Sequence, residues 1–198
     1  MRIYSLIPAR GGSKRVPNKN IKLLNSKPLI EYTINHSFES EHINSTFVSS
    51  DSDEILNFAL KKNCKTVKRP NKYSTDHATT KSVIKHFLEN FKKGQEPSIL
   101  CLLQPCIPFR KNNLIDECIS KLIKFDMDSV VTHIKVDMGH PNRLKRLKGD
   151  YLTHYDSPEI EDIPRSKLPE VYYRDGSVYV FKTESFLNYD SLFGRKQG

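Results

Sequence analysis

The chain has no tryptophan, no C-x-x-C pair and no internal repeat or low-complexity stretch. No apolar run approaches the roughly 18 residues a membrane-spanning helix needs, and no secretory signal is visible. Its four cysteines, Cys64, Cys101, Cys106 and Cys118, are unevenly spaced. Cys101 falls in an apolar run and Cys118 in a helical pattern, which suits buried free thiols. These absences argue against a disulfide scaffold, a cysteine metal cluster and a membrane protein. The expectation is a soluble, cytoplasmic protein with reduced cysteines.

Dense basic segments are also missing. The 198 residues carry 32 Lys and Arg against 23 Asp and Glu, a net charge of +9. That excess attracts anions in general, but it is spread along the chain without a basic arm or tail. By the usual electrostatic footprint, nucleic acid is not expected as a partner, whereas nucleotides and acidic sugars are candidates.

The first two-thirds of the chain alternates strand and helix. Residues 2–7, 46–50, 65–68, 98–103 and 129–136 read as strands. Residues 28–40, 53–62, 79–91 and 113–124 read as helices. Pro28 falls at a first helical turn, and Ser52 is an N-cap followed by Asp53 and Glu54 in the dipole-favoured first turn. Val83, Ile84, Phe87, Leu88 and Phe91 form an apolar stripe. The run SILCLL reads as a central buried strand. A strand at 176–181 and a helix at 183–188 follow later.

This order predicts a three-layer α/β/α fold with a mostly parallel sheet. Residues 1–136 with 174–198 are read as the α/β domain. The polar, Pro-punctuated segment 137–173 is read as an insertion: an arm, flap or dimerisation element.

One run carries the chemistry. IPARGGSKRVPNKN, residues 7–20, follows the first strand. Its adjacent glycines, Gly11 and Gly12, let backbone N–H groups approach phosphate oxygens, and its Arg and Lys supply neutralising charge. It is not a G-x-x-x-x-G-K-[ST] loop, because Arg15 follows Lys14, nor a G-x-G-x-x-G loop. Other polar residues also fall at the predicted carboxyl ends of strands, where such sheets bind ligands: Ser50 and Asp51, Arg69, and Gln104 with Pro105.

The run resembles the opening motif of the acylneuraminate cytidylyltransferases, the CMP–sialic acid synthetases, and more distantly that of the cytidylyltransferase for the eight-carbon acid Kdo. The resemblance continues through VSSDSDEI (48–55), Arg69-Pro70 with TDHATT (75–80), and LLQPCIPFR (102–110), similar to LLQPTSPLR. Pro164-Arg165 and DGSVY (175–179) extend it further.

The resemblance implies a fold like that of the nucleotide-diphospho-sugar transferases. It also implies the reaction of CTP with a nonulosonic acid to give a CMP-sugar and pyrophosphate, assisted by Mg2+, in a homodimer. Arg10, Lys14 and Lys19 are then the candidates for stabilising phosphate charge. Ala9, Gly11, Gly12, Ser13, Asn20, Arg69, Ala78, Thr80 and Gln104 are expected around the nucleotide, with backbone groups near Ala78 reading the base. Gln104, Arg143, Arg165 and Tyr179 are expected on the sugar side, since an Arg fork suits a carboxylate.

His36, His42, His86 and His154 are isolated and read as structural or exposed. Cys106 reads as a small-residue replacement, Asp51 as a strand terminus and Asp53 as a partner of the helix dipole. The family's Ile-Asp-x-x-x-Asp segment, a source of metal-binding carboxylates, is not among the 198 residues. Two alternatives therefore stay open: an active enzyme, or an impaired or truncated CTP- or CMP-sugar-binding protein.

Overall fold

A computed structural model describes residues 1–155 and 163–198. The chain divides into two compact units, residues 1–132 with 176–198, and residues 133–175.

The larger unit begins with β1 (Ile3–Pro8). A small hairpin follows, β2 (Leu23–Leu24) and β3 (Lys27–Pro28). It is closed by Asn25 and Ser26, both at positive φ (48° and 67°), as a two-residue hairpin turn of matching twist requires. Next come α1 (Leu29–Phe38), β4 (Ser45–Ser50), α2 (Asp53–Lys61) and β5 (Lys65–Lys68). Then α3 (Thr80–Leu88), β6 (Ile99–Leu102), α4 (Leu114–Lys124) and β7 (Ser129–Lys135) complete the first pass.

The smaller unit contains an exposed hairpin, β8 (Lys145–Lys148) and β9 (Tyr151–His154). Its turn is Gly149-Asp150, with Gly149 at φ 61°. β10 (Tyr172–Lys182) returns the chain to the larger unit, which ends with α5 (Thr183–Tyr189).

The six-stranded sheet has the order β5-β4-β1-β6-β10-β7. β5, β4, β1 and β6 are mutually parallel, while β10 runs antiparallel to β6. Alternation along each strand splits the core into two layers. Ile7, Val48 and Cys101 pack with Ile30 and Ile34 of α1, Ile55 and Ala59 of α2, and Ile119 of α4. Leu6, Phe47 and Leu102 face the other way, against Ile84 and Phe87 of α3 and Phe186 of α5. Helices therefore cover both faces, as a buried parallel sheet requires.

Local chemistry fixes the helix limits. Ser52 Oγ accepts from the Ile55 amide and Thr79 Oγ1 from the Ser82 amide, so each caps its helix. α3 stops at Leu88, short of the expected Phe91. Asn90 Nδ2 donates to the carbonyls of His86 and Phe87, replacing helix amides with a side chain. Pro28 is the N-cap of α1 rather than its first residue.

Candidate functional site

β1 lies between β4 and β6, and the chain leaves it toward one side for β4 and β5 before crossing to the other for β6. The carboxyl end of β1 is thus the point where strand order reverses, the usual ligand crevice of an open α/β sheet. A cavity of about 590 Å³ opens there, within the range of small-molecule sites. It is lined by Arg10, Ser13, Lys14, Lys19, Asn20, Arg69, Ala78, Thr80 and Gln104, and also by Arg15, Tyr73, Asp76 and Cys106.

The loop after β1 is tied down at several points. The Ala9 amide donates to the Ser49 carbonyl at 2.9 Å, continuing the β1–β4 pairing. Ala9 is fully buried beneath the loop. The Gly11 amide donates to Asp51 Oδ1 at 2.9 Å. A Cβ on Gly11 would fall 2.9 Å from Ser52 Cβ, whereas one on Gly12 would meet nothing within 4 Å. The first glycine is thus required by close packing of the loop on the start of α2, and the second leaves an open approach to its backbone.

Asn20 braces the far end of the loop. Its Nδ2 donates to the Arg10 carbonyl at 2.8 Å. The side chain is 3% exposed, and its Oδ1 has no hydrogen-bond partner among the described residues. A buried, unpaired amide oxygen on a residue that lines a cavity leaves an acceptor that water or a ligand can satisfy.

Arg69, 4% exposed, lines the same cavity. Its amide donates to the Ser50 carbonyl and its Nε to Ser74 Oγ at 3.1 Å. Burial lowers its pKa; Asp51 opposes this shift and Arg10 adds to it. Arg10 Nη1 lies 2.9 Å from Asp76 Oδ1, and Lys14 Nζ pairs with Asp76 Oδ2.

On the β6 side, Gln104 lines the cavity. Its carbonyl accepts from Arg110 Nη2 at 2.9 Å, and Arg110 Nε donates to the Ser177 carbonyl at 2.9 Å. This buried guanidinium holds the loop after β6 against β10. Tyr179 is buried on β10 opposite Leu102. Gly176, at φ 77°, leaves room where a Cβ would lie 3.3 Å from the Tyr179 hydroxyl and 3.9 Å from Gln104 Nε2. Gln104 and Tyr179 therefore face the same space.

Arg143 and Arg165 belong to the smaller unit. There Arg143 Nη2 donates to the Ile163 carbonyl at 3.0 Å, and Arg165 Nη2 lies 3.7 Å from Asp137 Oδ1. Among the described residues, no three His, Cys, Asp or Glu side chains gather as a metal site.

The sequence places Asp51 at a strand end that faces the ligand crevice and Asp76 in the TDHATT segment, but it does not show what either carboxylate bonds. Asp51 follows β4 and fixes the Gly11 amide. The partners of Asp76 lie more than sixty residues earlier in the chain.

Residues 4–193 match the family described as Cytidylyltransferase. The chain belongs to the cytidylyltransferase family. Within it, the chain is 32% identical over 195 residues to an N-acylneuraminate cytidylyltransferase of Streptococcus agalactiae, covering 98% of this chain and 46% of that protein. A CMP-N,N'-diacetyllegionaminic acid synthase of Legionella pneumophila is 31% identical over 98% of this chain and 83% of its own length. A pseudaminic acid cytidylyltransferase of Campylobacter jejuni is 26% identical over 98% and 84%. The chain thus spans about half the length of the first of these relatives and most of the other two.

Among solved structures, a CMP:2-keto-3-deoxy-manno-octonic acid synthetase complexed with CTP superposes with a TM-score of 0.73 over 96% of this chain and 78% of that one, at 16% identity. At that identity the likeness establishes the shared fold alone. Among the described residues of this cytidylyltransferase-family chain, no helix is long and apolar enough to cross a membrane.

Proposed function

We propose that this chain transfers the cytidylyl group of CTP to a nonulosonic acid of the sialic-acid type, releasing pyrophosphate. The observation that carries the reading is the cavity at the end of β1, where Arg10, Lys14 and Lys19 line one space with Asn20. The named activities of the relatives support the choice of CTP and of an acidic nine-carbon sugar.

The anomeric hydroxyl of the acid attacks the α-phosphorus in line, and pyrophosphate leaves. Negative charge grows on the α-phosphate and on the leaving group. Arg10, Lys14 and Lys19 meet that charge as cationic donors. The amide of Gly12 is an approachable backbone donor of the loop, since those of Gly11 and Ser13 donate to Asp51 Oδ1 and to the Gly11 carbonyl. Asn20 Oδ1 accepts from a ribose hydroxyl. Arg69, Ala78 and Thr80 surround the nucleoside, with base selection made by backbone groups near Ala78. Gln104 and Tyr179 contact the sugar, and Arg143 and Arg165 are assigned to its carboxylate.

Mg2+ is the cofactor the family resemblance implies. The acids beside the loop, Asp51 and Asp76, are held by protein donors, so the described residues do not form a ready cation site.

We assign residues 1–136 with 174–198 to nucleotide binding and 137–173 to dimerisation and sugar contact. The exposed Leu147 and Leu152, cross-strand partners in the β8–β9 hairpin, support a homodimer, because exposed paired apolar side chains suit an interaction site. A cytoplasmic location suits the four free cysteines.

The test is product formation from CTP with sialic, legionaminic and pseudaminic acids in turn. A CMP-sugar from at least one acid is expected. CTP binding without product from any of them would support the binding-protein alternative and overturn the enzyme reading.

A further inference from the structure

The Asp76 carboxylate spans two cations of the glycine loop. Oδ1 engages Arg10 Nη1 at 2.9 Å and Oδ2 engages Lys14 Nζ. All three residues line the cavity. No further described group bonds this carboxylate. Asp51 provides the contrast: it bonds a backbone amide of the loop, and that contact can persist while the side chains of the loop rearrange. Asp76 instead occupies the ligand-facing ends of the two cations, with the two-oxygen geometry a phosphate would present.

We propose that Asp76 competes with the phosphates of the nucleotide for Arg10 and Lys14, and so sets the charge a ligand must bring to enter the phosphate subsite. This rests on the assignment of that subsite above. A ligand offering one carboxylate gains no more from the two cations than Asp76 already provides, and it does not displace it. A polyphosphate brings several oxygens to the same pair, reaches Lys19 as well, and does. The discrimination matters because the proposed co-substrate is itself a carboxylate, which the phosphate subsite has to refuse. Lys14 and Arg10 together hold the Asp76 carboxyl below its ordinary range, so the competitor is ionised throughout neutral pH.

The test is calorimetric titration of the 198-residue protein with inorganic tripolyphosphate, which carries neither base nor sugar. Exposed ion pairs are individually weak, so releasing two of them predicts that Asp76→Asn binds tripolyphosphate roughly 3- to 10-fold more tightly than the parent. Asp76→Ala gives the same direction. Asp53→Asn removes one nearby charge without freeing Arg10 or Lys14, since Asp53 is exposed and paired with Lys68. It is expected to leave the affinity within about twofold, the scale of a single exposed charge pair.

Unchanged or weaker binding by both Asp76 variants, an equal gain from Asp53→Asn, or no tripolyphosphate binding by any form would overturn the proposal. A parallel titration with CTP and UTP separates the two claims. If Asp76→Asn tightens tripolyphosphate but CTP shows no preference over UTP, the competition stands and the cytidine assignment fails.

Discussion

Replacing Gly11 with alanine perturbs the phosphate loop at its tightest point. The new Cβ would sit 2.9 Å from Ser52 Cβ, about 1 Å inside an ordinary carbon–carbon contact of roughly 3.5–4 Å. Ser52 cannot swing away, because its Cβ moves with the backbone that starts α2 and its Oγ caps that helix. The loop has to move instead, and the Gly11 amide is drawn from Asp51. Overpacking of this kind costs about 1–3 kcal/mol, which for a domain of this size lowers Tm by roughly 3–10 °C. Misplacing the neighbouring amides and Arg10 should also reduce turnover, by about 10²-fold for a shift near 1 Å.

Gly12→Ala meets nothing within 4 Å and keeps its N–H, so both measures should stay near the parent. The clash also predicts its own rescue. Ser52→Gly removes the opposing Cβ at a cost of only a few tenths of a kcal/mol at an N-cap, so the Gly11→Ala/Ser52→Gly protein should recover most of the lost Tm. Thermal melts and pyrophosphate-release rates on the four proteins decide the matter. Equal damage from the two glycine substitutions, or no recovery in the double variant, would refute the packing argument.

Three further outcomes are expected. Asn20→Asp replaces the donor to the Arg10 carbonyl with an acceptor, so CTP affinity should fall and Tm should drop by a few degrees, read by titration and calorimetry. Asp128 accepts from the Arg195 and Lys196 amides and from Ser185 Oγ. These bonds, that of the Lys196 amide foremost, then Ser185 and Arg195, hold its pKa at about 2. The stability it contributes is therefore complete above the unfolded value near 3.9 and is lost as pH falls toward 2. Acid titration of Tm should be steeper for the parent than for Asp128→Asn, which should be less stable at pH 7. Cys106 is exposed and lines the cavity, while Cys64, Cys101 and Cys118 are buried, and burial raises the Cys64 thiol to about 11. One equivalent of iodoacetamide should label Cys106 first, as peptide mapping would show, and CTP should slow the reaction.

The strands and helices of the larger unit were legible because their signals are local. SILCLL has no polar residue to place on a solvent face after Ser98, and the Val83, Ile84 and Phe87 stripe has one helical phase. The end of α3 was misread because the apolar stripe continues to Phe91 while the Asn90 side chain terminates the helix. The two hairpins were overlooked, although Asn25-Ser26 and Gly149-Asp150 carry recognisable two-residue turn chemistry. Short strands with mixed polarity gave no periodicity to attract attention.

The direction of β10 was not legible, since its buried run reads identically either way and its pairing with β6 is a tertiary outcome. Arg10, Lys14, Lys19, Asn20, Arg69, Ala78, Thr80 and Gln104 could be named in advance from motifs, and they line one cavity. Asp51 and Asp76 gained their partners only from strand order and from the loop that precedes α3.

The central claim is that the cations of the loop after β1 drive nucleotidyl transfer from CTP. The most direct measurement is pyrophosphate release with a saturating nonulosonic acid, comparing CTP with UTP and the parent with Lys19→Ala. The account predicts release that requires both CTP and the acid, is much slower with UTP, and falls roughly 10²- to 10³-fold in Lys19→Ala, the usual effect of removing one preorganised donor to developing charge. Release at the parental rate from Lys19→Ala, or none from the parent while CTP binds, would contradict it.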